Sequence, residues 1–345
     1  MTASGADPRV LLADVGGTHV RFALADPAAP VPLLEDSIRV QRVDDWPTFT
    51  DAARSYLAQC GARCYQAVFA FAGPVVDGQV RMTNHPWTIV QDAVQEALGL
   101  ASLQLVNDFA AMSLAACLLA DGDGEVLGGA GAPRLRADGS QVFAVLGPGT
   151  GLGAGALMLH DGEASTLDTE GGHTGFAPAD DLQVAVWMRL AARFGRVSNE
   201  RLLCGSGLAN LHRALAEIHG EEGGDLEPES ITAGAAAGDA ASRRTVALFA
   251  RVLGAFAGDS VLALGAWDGV FLAGGLVQPL LPWLRQPGFR AGFEDKGRFS
   301  SRLARVPVMA MTHPHPGLLG AAAFAVARSG RSLLQPGAAT RGAAS

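Results

Sequence analysis

The chain is almost without lysine. Among its 345 residues and 26 basic side chains only Lys296, in "FEDKGRFS", carries an ε-amine. That excludes a phosphate loop of the G-x-x-x-x-G-K-[ST] type, which needs a lysine directly after its last glycine. A protein of this composition that handles phosphate must do so with backbone N–H groups, a metal ion or arginine. Cysteine is also scarce. Cys60, Cys64, Cys117 and Cys204 are too few and too scattered for a disulfide framework, and they read as reduced thiols. No His/Cys cluster follows Cys60 and Cys64 at zinc-like spacing. The net charge of −8 and the lack of a basic run give no general attraction to nucleic acid or to an anionic membrane. The opening "MTASGADPR" has neither a cationic nor an apolar signal region, and every long apolar run is broken by Gly, Pro or charge. The expectation is a cytoplasmic protein with neither nucleic acid nor membrane as partner.

Hydrophobic residues, by contrast, make up 49% of the chain, enough for two substantial cores in a chain of this length. Glycine is plentiful, at 44 residues, so an isolated Gly-Gly pair says little. Context makes three glycine turns informative. "VLLADVGGTHVRFALAD" and "FAVLGPGTGLGAGALML" each run an apolar strand into a glycine turn with a threonine and leave along a second apolar strand. "VFLAGGLVQPLLPWL" reads as strand, Gly-Gly turn and helix. Two strand–turn–strand units, each followed by helices, predict two α/β lobes with a cleft between them.

Four groups carry candidate chemistry. Asp14, Gly16, Gly17 and Thr18 form the first loop, where glycine tolerates positive φ and close approach, and Asp14 can hold Mg²⁺ directly or through water. The alternative is an ordinary hairpin turn with a buried acid. Gly149, Thr150 and Gly151 repeat that logic, and Gly274 and Gly275 offer a third anion-sized turn. Asn107 and Asp108 follow the short strand "LQLV" and precede a long apolar run. Asp108 reads either as the cap of that helix or as a base that takes a proton from a hydroxyl attacking a phosphoryl group. In "DTEGGHTGFAP", Glu170 and His173 sit around a Gly-Gly turn, suited to neighbouring hydroxyls or to a solvated surface loop. Glu200, in "RVSNERLLCGSG", reads as a first-turn acid of a helix capped by Ser198. The stretch "WTIVQDAVQEALGL" reads as a helix ending near Gly99.

Taken in order, "DVGGTHVRFAL", "MTNHPW", "NDFAAMS", "GPGTGLGAG", "EGGHTGFAP", "ERLLCGSGLANL", "DGVFLAGG", "GFRAGFEDKGRF" and "PGLLG" resemble the bacterial ATP-dependent glucokinases, over nearly the whole chain from about 9 to 328. That family belongs with the sugar kinases, hexokinase, actin and Hsp70-type ATPases. The resemblance implies two ribonuclease-H-like (actin-like ATPase) lobes with ATP and glucose in an interlobe cleft. It implies a small lobe of residues 8–118 plus 313–330, the C-terminal helix returning to it, and a large lobe of 119–312. A disordered tail of 331–345 is expected from composition.

By the same resemblance Asp108 is the catalytic base, and Asn107, Asp108, Glu170, His173 and Glu200 hold the sugar. Asp14 to Thr18 and Gly149 to Gly151 are the phosphate loops, Gly274 and Gly275 lie near the adenosine, Mg²⁺ lies by Asp14, and the assembly is a homodimer. The chain departs from the pattern at His19, where the family has Asn. It lacks the zinc-binding cysteine motif of the related repressor/open-reading-frame/kinase group, and no helix-turn-helix precedes the first strand. The competing readings are a kinase for another hexose and a sugar-sensing pseudo-kinase.

Overall fold

The computed structural model describes residues 9–82, 87–221, 224 and 226–334. The chain divides into two compact units, one of residues 1–119, 160–166 and 313–338, the other of the remainder. Thr83–Pro86 of the "MTNHPW" motif lie outside the described residues.

The first unit is built on a five-stranded sheet. Its strands are β1 (Val10–Val15), β2 (His19–Ala25), β3 (Leu33–Arg42), β4 (Gln66–Phe71) and, after a small pair β5 (Gln79–Arg81) and β6 (Thr88–Val90), β7 (Ser102–Asn107). The order is β3-β2-β1-β4-β7, with β1–β2 and β2–β3 antiparallel and β1–β4 and β4–β7 parallel. β1 and β4 are central, and their apolar runs are buried on both faces, as parallel strands covered on both sides require. Helix α1 (Phe49–Cys60) starts where Thr48 accepts the Asp51 N–H and stops at the left-handed Gly61. Helix α2 spans Gln91–Leu98, and α3 spans Asp108–Ala115. A core of Phe22, Phe49, Tyr56, Phe69, Phe71 and their aliphatic neighbours fills one side of the sheet. The expected helix from Trp87 begins later than the sequence suggests. The β-branched Thr88 and Ile89, with Val90, pair with Gln79–Arg81 first, and the helix starts only at Gln91.

The C-terminal helix Pro316–Arg328 belongs to this unit and packs against α3, β1 and β4. Its small residues permit that closeness, since a β-carbon at Gly320 would overlap the Ala111 carbonyl oxygen. The segment expected to be a free tail is tied down at its start. Arg331 donates to the Pro27 carbonyl and Leu334 is buried. Residues 335–345 lie outside the described residues.

The second unit repeats the plan. Strands β8 (Gly124–Val126), β9 (Ser140–Pro148), β10 (Leu152–His160), β11 (Glu163–Thr169), β12 (Gly269–Leu272) and β13 (Val308–Met311) order as β11-β10-β9-β12-β13-β8. The first five follow the sequence of positions seen in the first sheet, and β8 is appended at the far edge. Helices α4 (Asp181–Phe194), α5 (Gly205–His219), α6 (Pro228–Ala237), α7 (Ala240–Leu264), α8 (Val277–Leu284), α9 (Pro287–Glu294) and α10 (Ser300–Leu303) surround it. α7 is, among the described residues, the one helix long and apolar enough to cross a membrane by length and composition, yet its apolar face is the centre of this unit's core.

Candidate active site

Parallel strands in register bring their carboxyl ends to one edge of a sheet, where ligands of open α/β sheets bind. In the first unit Val15, Phe71 and Asn107 stand in one row across β1, β4 and β7. The loop after β1 and the start of α3 therefore emerge together. In the second unit β9 and β12 are parallel, and the Ala273 N–H donates to the Leu146 carbonyl. This sets Gly149–Gly151 beside Gly274–Gly275. The Leu276 N–H donates to the Pro148 carbonyl, and a β-carbon at Gly149 would lie 3.7 Å from the Gly275 nitrogen.

The first loop is a tight turn in which the Gly16 N–H donates to the His19 carbonyl at 3.0 Å. Gly17, Thr18 and His19 are exposed. Of the two freedoms that glycine allows here, positive φ is not used, since neither Gly16 nor Gly17 adopts it. A β-carbon at Gly16 would meet nothing closer than the His19 carbonyl oxygen at 3.6 Å. The turn itself therefore does not demand glycine at 16; what a bare backbone provides there is an uncovered approach for a ligand. Gly149 and Gly151 likewise keep ordinary φ, while Gly274 has φ +102° and backs so closely on Pro148 that a side chain would collide.

Asp14 lies opposite Arg21 in the β1–β2 register, with Arg21 Nη1 3.5 Å from Asp14 Oδ2. Burial raises the Asp14 pKa, and the Arg21 charge works against that rise. The second residue of the C-terminal helix, Gly317, stands against the same carboxylate, within the positive end of the helix dipole. Asp14 thus offers a carboxyl oxygen at the carboxyl edge of the sheet. No group of three or more His, Cys, Asp or Glu side chains able to hold a metal occurs among the described residues. Mg²⁺ does not need one, because it keeps several waters and takes one or two carboxylates plus phosphate oxygens. Asp14 fits that requirement.

The Asn107–Asp108 pair divides two tasks. The Asn107 Oδ1 accepts the N–H groups of Phe109 at 2.8 Å and Ala110 at 3.2 Å, so Asn107 is the helix cap, and its Nδ2 donates to the Gly73 carbonyl. The capping role that the sequence offered to Asp108 falls to its neighbour. Asp108 is the first helical residue, and its carboxyl group meets only the first backbone N–H groups, its own and that of Phe109, which work against a rise in its pKa. Burial, and after it the negative charge of Asp14, push the Asp108 pKa up to about 7. A carboxyl group near neutrality can take a proton at physiological pH.

In the second unit Glu170, His173 and Glu200 come together. His173 Nε2 lies 3.7 Å from Glu170 Oε2, and its Nδ1 lies 3.8 Å from Glu200 Oε1; the three side chains are 55%, 85% and 30% exposed. The spacings exceed a hydrogen bond and match groups bridged by water or a hydroxyl. The turn carrying Glu170 and His173 is fixed from behind: Glu170 bridges to Ala154 and Arg196 donates to the His173 carbonyl. Asn199 ties Glu200's segment to Thr174 through its backbone and its carboxamide. Ser198 makes no side-chain cap, and Glu200 sits in a short 3₁₀ turn, Asn199–Arg201, instead of an α-helix. Glu200 Oε2 accepts the Leu152 N–H at 2.9 Å, joining the acid to the end of the second glycine loop.

Arg21, Leu152, Arg196 and Asn199 are participants that motif reading does not single out. Arg21 could have been found by counting outward from a hairpin closed at 16–19, which pairs 14 with 21. The other three contacts join segments too far apart in sequence for any local pattern to signal.

Comparison with known proteins agrees with this architecture. The sequence model described as "Glucokinase" matches residues 11–328. A glucokinase of Xanthomonas oryzae pv. oryzae is 52% identical over 317 residues, covering 92% of this chain and 95% of that one. A glucokinase of Stenotrophomonas maltophilia is 50% identical over 322 residues, covering 93% and 96%. Among solved structures, glucokinase from an Antarctic psychrotroph superposes with TM-score 0.82 at 32% identity, covering 92% of this chain and 98% of that one. Glucokinase from Balamuthia mandrillaris in complex with glucose, at 20% identity and TM-score 0.74, covers 95% of each chain and shares the fold. The chain belongs to the glucokinase family and has its α/β fold of two ribonuclease-H-like, actin-like ATPase units.

Proposed function

We propose that the chain transfers the γ-phosphoryl group of ATP to the 6-hydroxyl of glucose, giving glucose 6-phosphate and ADP. The observation that carries this reading is Asp108, a carboxyl group held near neutrality at the carboxyl edge of a parallel sheet and relieved of capping by Asn107. In this reading Asp108 orients the 6-hydroxyl and accepts its proton as the bond to phosphorus forms. Asn107, Glu170, His173 and Glu200 hold the ring hydroxyls, and the acids confer orientation through charge-assisted hydrogen bonds. With the Gly16 and Gly149 N–H groups closing their own turns on the His19 and Gly151 carbonyls, the N–H groups of Gly17, Thr18, Thr150 and Gly151 face the phosphates, the Thr18 and Thr150 hydroxyls are further donors, and Gly274–Gly275 lie against the adenosine. Mg²⁺, when bound beside Asp14, offsets phosphate charge. Residues 8–118 with 313–330, and 119–312, act as the two lobes of the enzyme. A homodimer in the cytoplasm, without nucleic-acid or membrane partners, completes the proposal.

The test is ADP release by the purified protein with Mg·ATP alone and with glucose, mannose, fructose or galactose. Stimulation by glucose above the other sugars supports the assignment. Stimulation by another hexose instead reassigns the substrate, and ligand binding without turnover for any sugar favours a sensor.

A further inference from the structure

Glu200 faces two ways. Its Oε2 accepts the Leu152 N–H at 2.9 Å, directly after the second glycine loop. A β-carbon at Gly151 would lie only 2.7 Å from that same oxygen, so loop and carboxylate are packed against each other. Its Oε1 looks toward His173 Nδ1, 3.8 Å away, a spacing at which one hydroxyl placed beside the pair reaches both atoms. The backbone beneath is anchored by Asn199 to Thr174, and by the Cys204 thiol to the Glu200 carbonyl. The side chain is therefore the part free to respond.

A carboxylate shares its charge among all its donors. A hydroxyl donating to Glu200 weakens or redirects its hold on the Leu152 N–H, and a shift of the loop alters what a hydroxyl finds. We propose that Glu200 is a positioning residue for the Gly149–Leu152 loop, through which an occupied sugar site sets the geometry of the phosphate loop. This rests on the reading of Glu200 as a sugar ligand and extends it from binding to coupling. Such coupling is reciprocal, so a change in the loop must change affinity for the sugar even with no nucleotide present. It also gives a reason for transfer to sugar to be favoured over transfer to water, since the phosphate loop is completed only when hydroxyls are in place.

Hydrogen exchange on the full-length wild-type protein, with glucose and no nucleotide, reads this directly. The expected result is slower exchange over 170–174 together with a severalfold change over 149–155. Protection of 170–174 with 149–155 unchanged overturns the coupling and leaves the sugar assignment standing. No protection at either segment overturns both. The second arm is Gly151→Ala, whose β-carbon displaces the Glu200 carboxylate. Glucose affinity without nucleotide should fall about tenfold, the scale of one charge-assisted hydrogen bond. The same substitution in a Glu200→Gln background should add little further loss. Unchanged glucose affinity in a Gly151→Ala protein of native circular dichroism overturns the inference.

Discussion

Gly317 stands against the carboxylate of Asp14: a β-carbon at 317 would lie 2.6 to 2.8 Å from its carboxyl carbon and both oxygens. The two residues are 303 positions apart, and their contact brings the start of the C-terminal helix to the acid at the end of β1. Gly317→Ala should push the carboxylate aside while leaving most of the helix packing intact. The expected outcome is a rise in the Mg·ATP concentration needed for half-maximal rate, with glucose affinity little changed. Steady-state kinetics varying each substrate in turn checks it.

The Asp108 pKa of about 7 has a sign that can be tested. The base must be ionised to take a proton, so kcat/KM for the sugar should climb as pH rises through about 7 and level off above it. Reversing the cause should move the limb. Asp14→Asn removes the second source of the upward shift, the neighbouring negative charge, and should displace the ascending limb toward lower pH in whatever activity remains.

The same shift bears on stability. A carboxyl group whose folded pKa is raised binds its proton more tightly in the native state. Its ionisation therefore costs folding stability progressively from the unfolded value near 4 up to about 7. Asp108→Asn should raise the unfolding free energy at pH 8, by a few kcal/mol at most, and with it the melting temperature, the gain vanishing near pH 4. Thermal unfolding of both proteins across that range gives the comparison.

Asn107 predicts the opposite. Its side chain caps α3 through two N–H groups and also donates to the Gly73 carbonyl. Asn107→Ala should lower stability by about 1 to 2 kcal/mol, as loss of a cap does, and should also loosen Asp108. Denaturant titration measures the first effect, and a lowered kcat the second.

The motifs were legible because they sit at strand ends, where apolar runs break into glycine and polar residues. Both glycine hairpins, the strand before Asn107 and the Gly274–Gly275 turn lie where the sequence places them. The Asn107–Asp108 pair was ambiguous, since either side chain can cap a helix, and only the geometry gives the cap to Asn107. Glycine at 16 and 17 suggested positive φ, but the turn closes without it, and the bare backbone leaves an open approach. Glu200 had no local signature: its partners, Leu152 and His173, come from other segments, and its own turn is too short to show periodicity. Gly317 was readable as a helix start but not as a neighbour of Asp14.

The most direct measurement is glucose-dependent ADP release by the wild-type protein and by Asp108→Asn, alongside glucose binding to each. The account predicts strong stimulation by glucose in the wild type. In the variant it predicts a fall of at least about a hundredfold, the low end for a general base, with glucose still bound. A wild-type protein indifferent to glucose, or a variant that turns over at the wild-type rate, would contradict it.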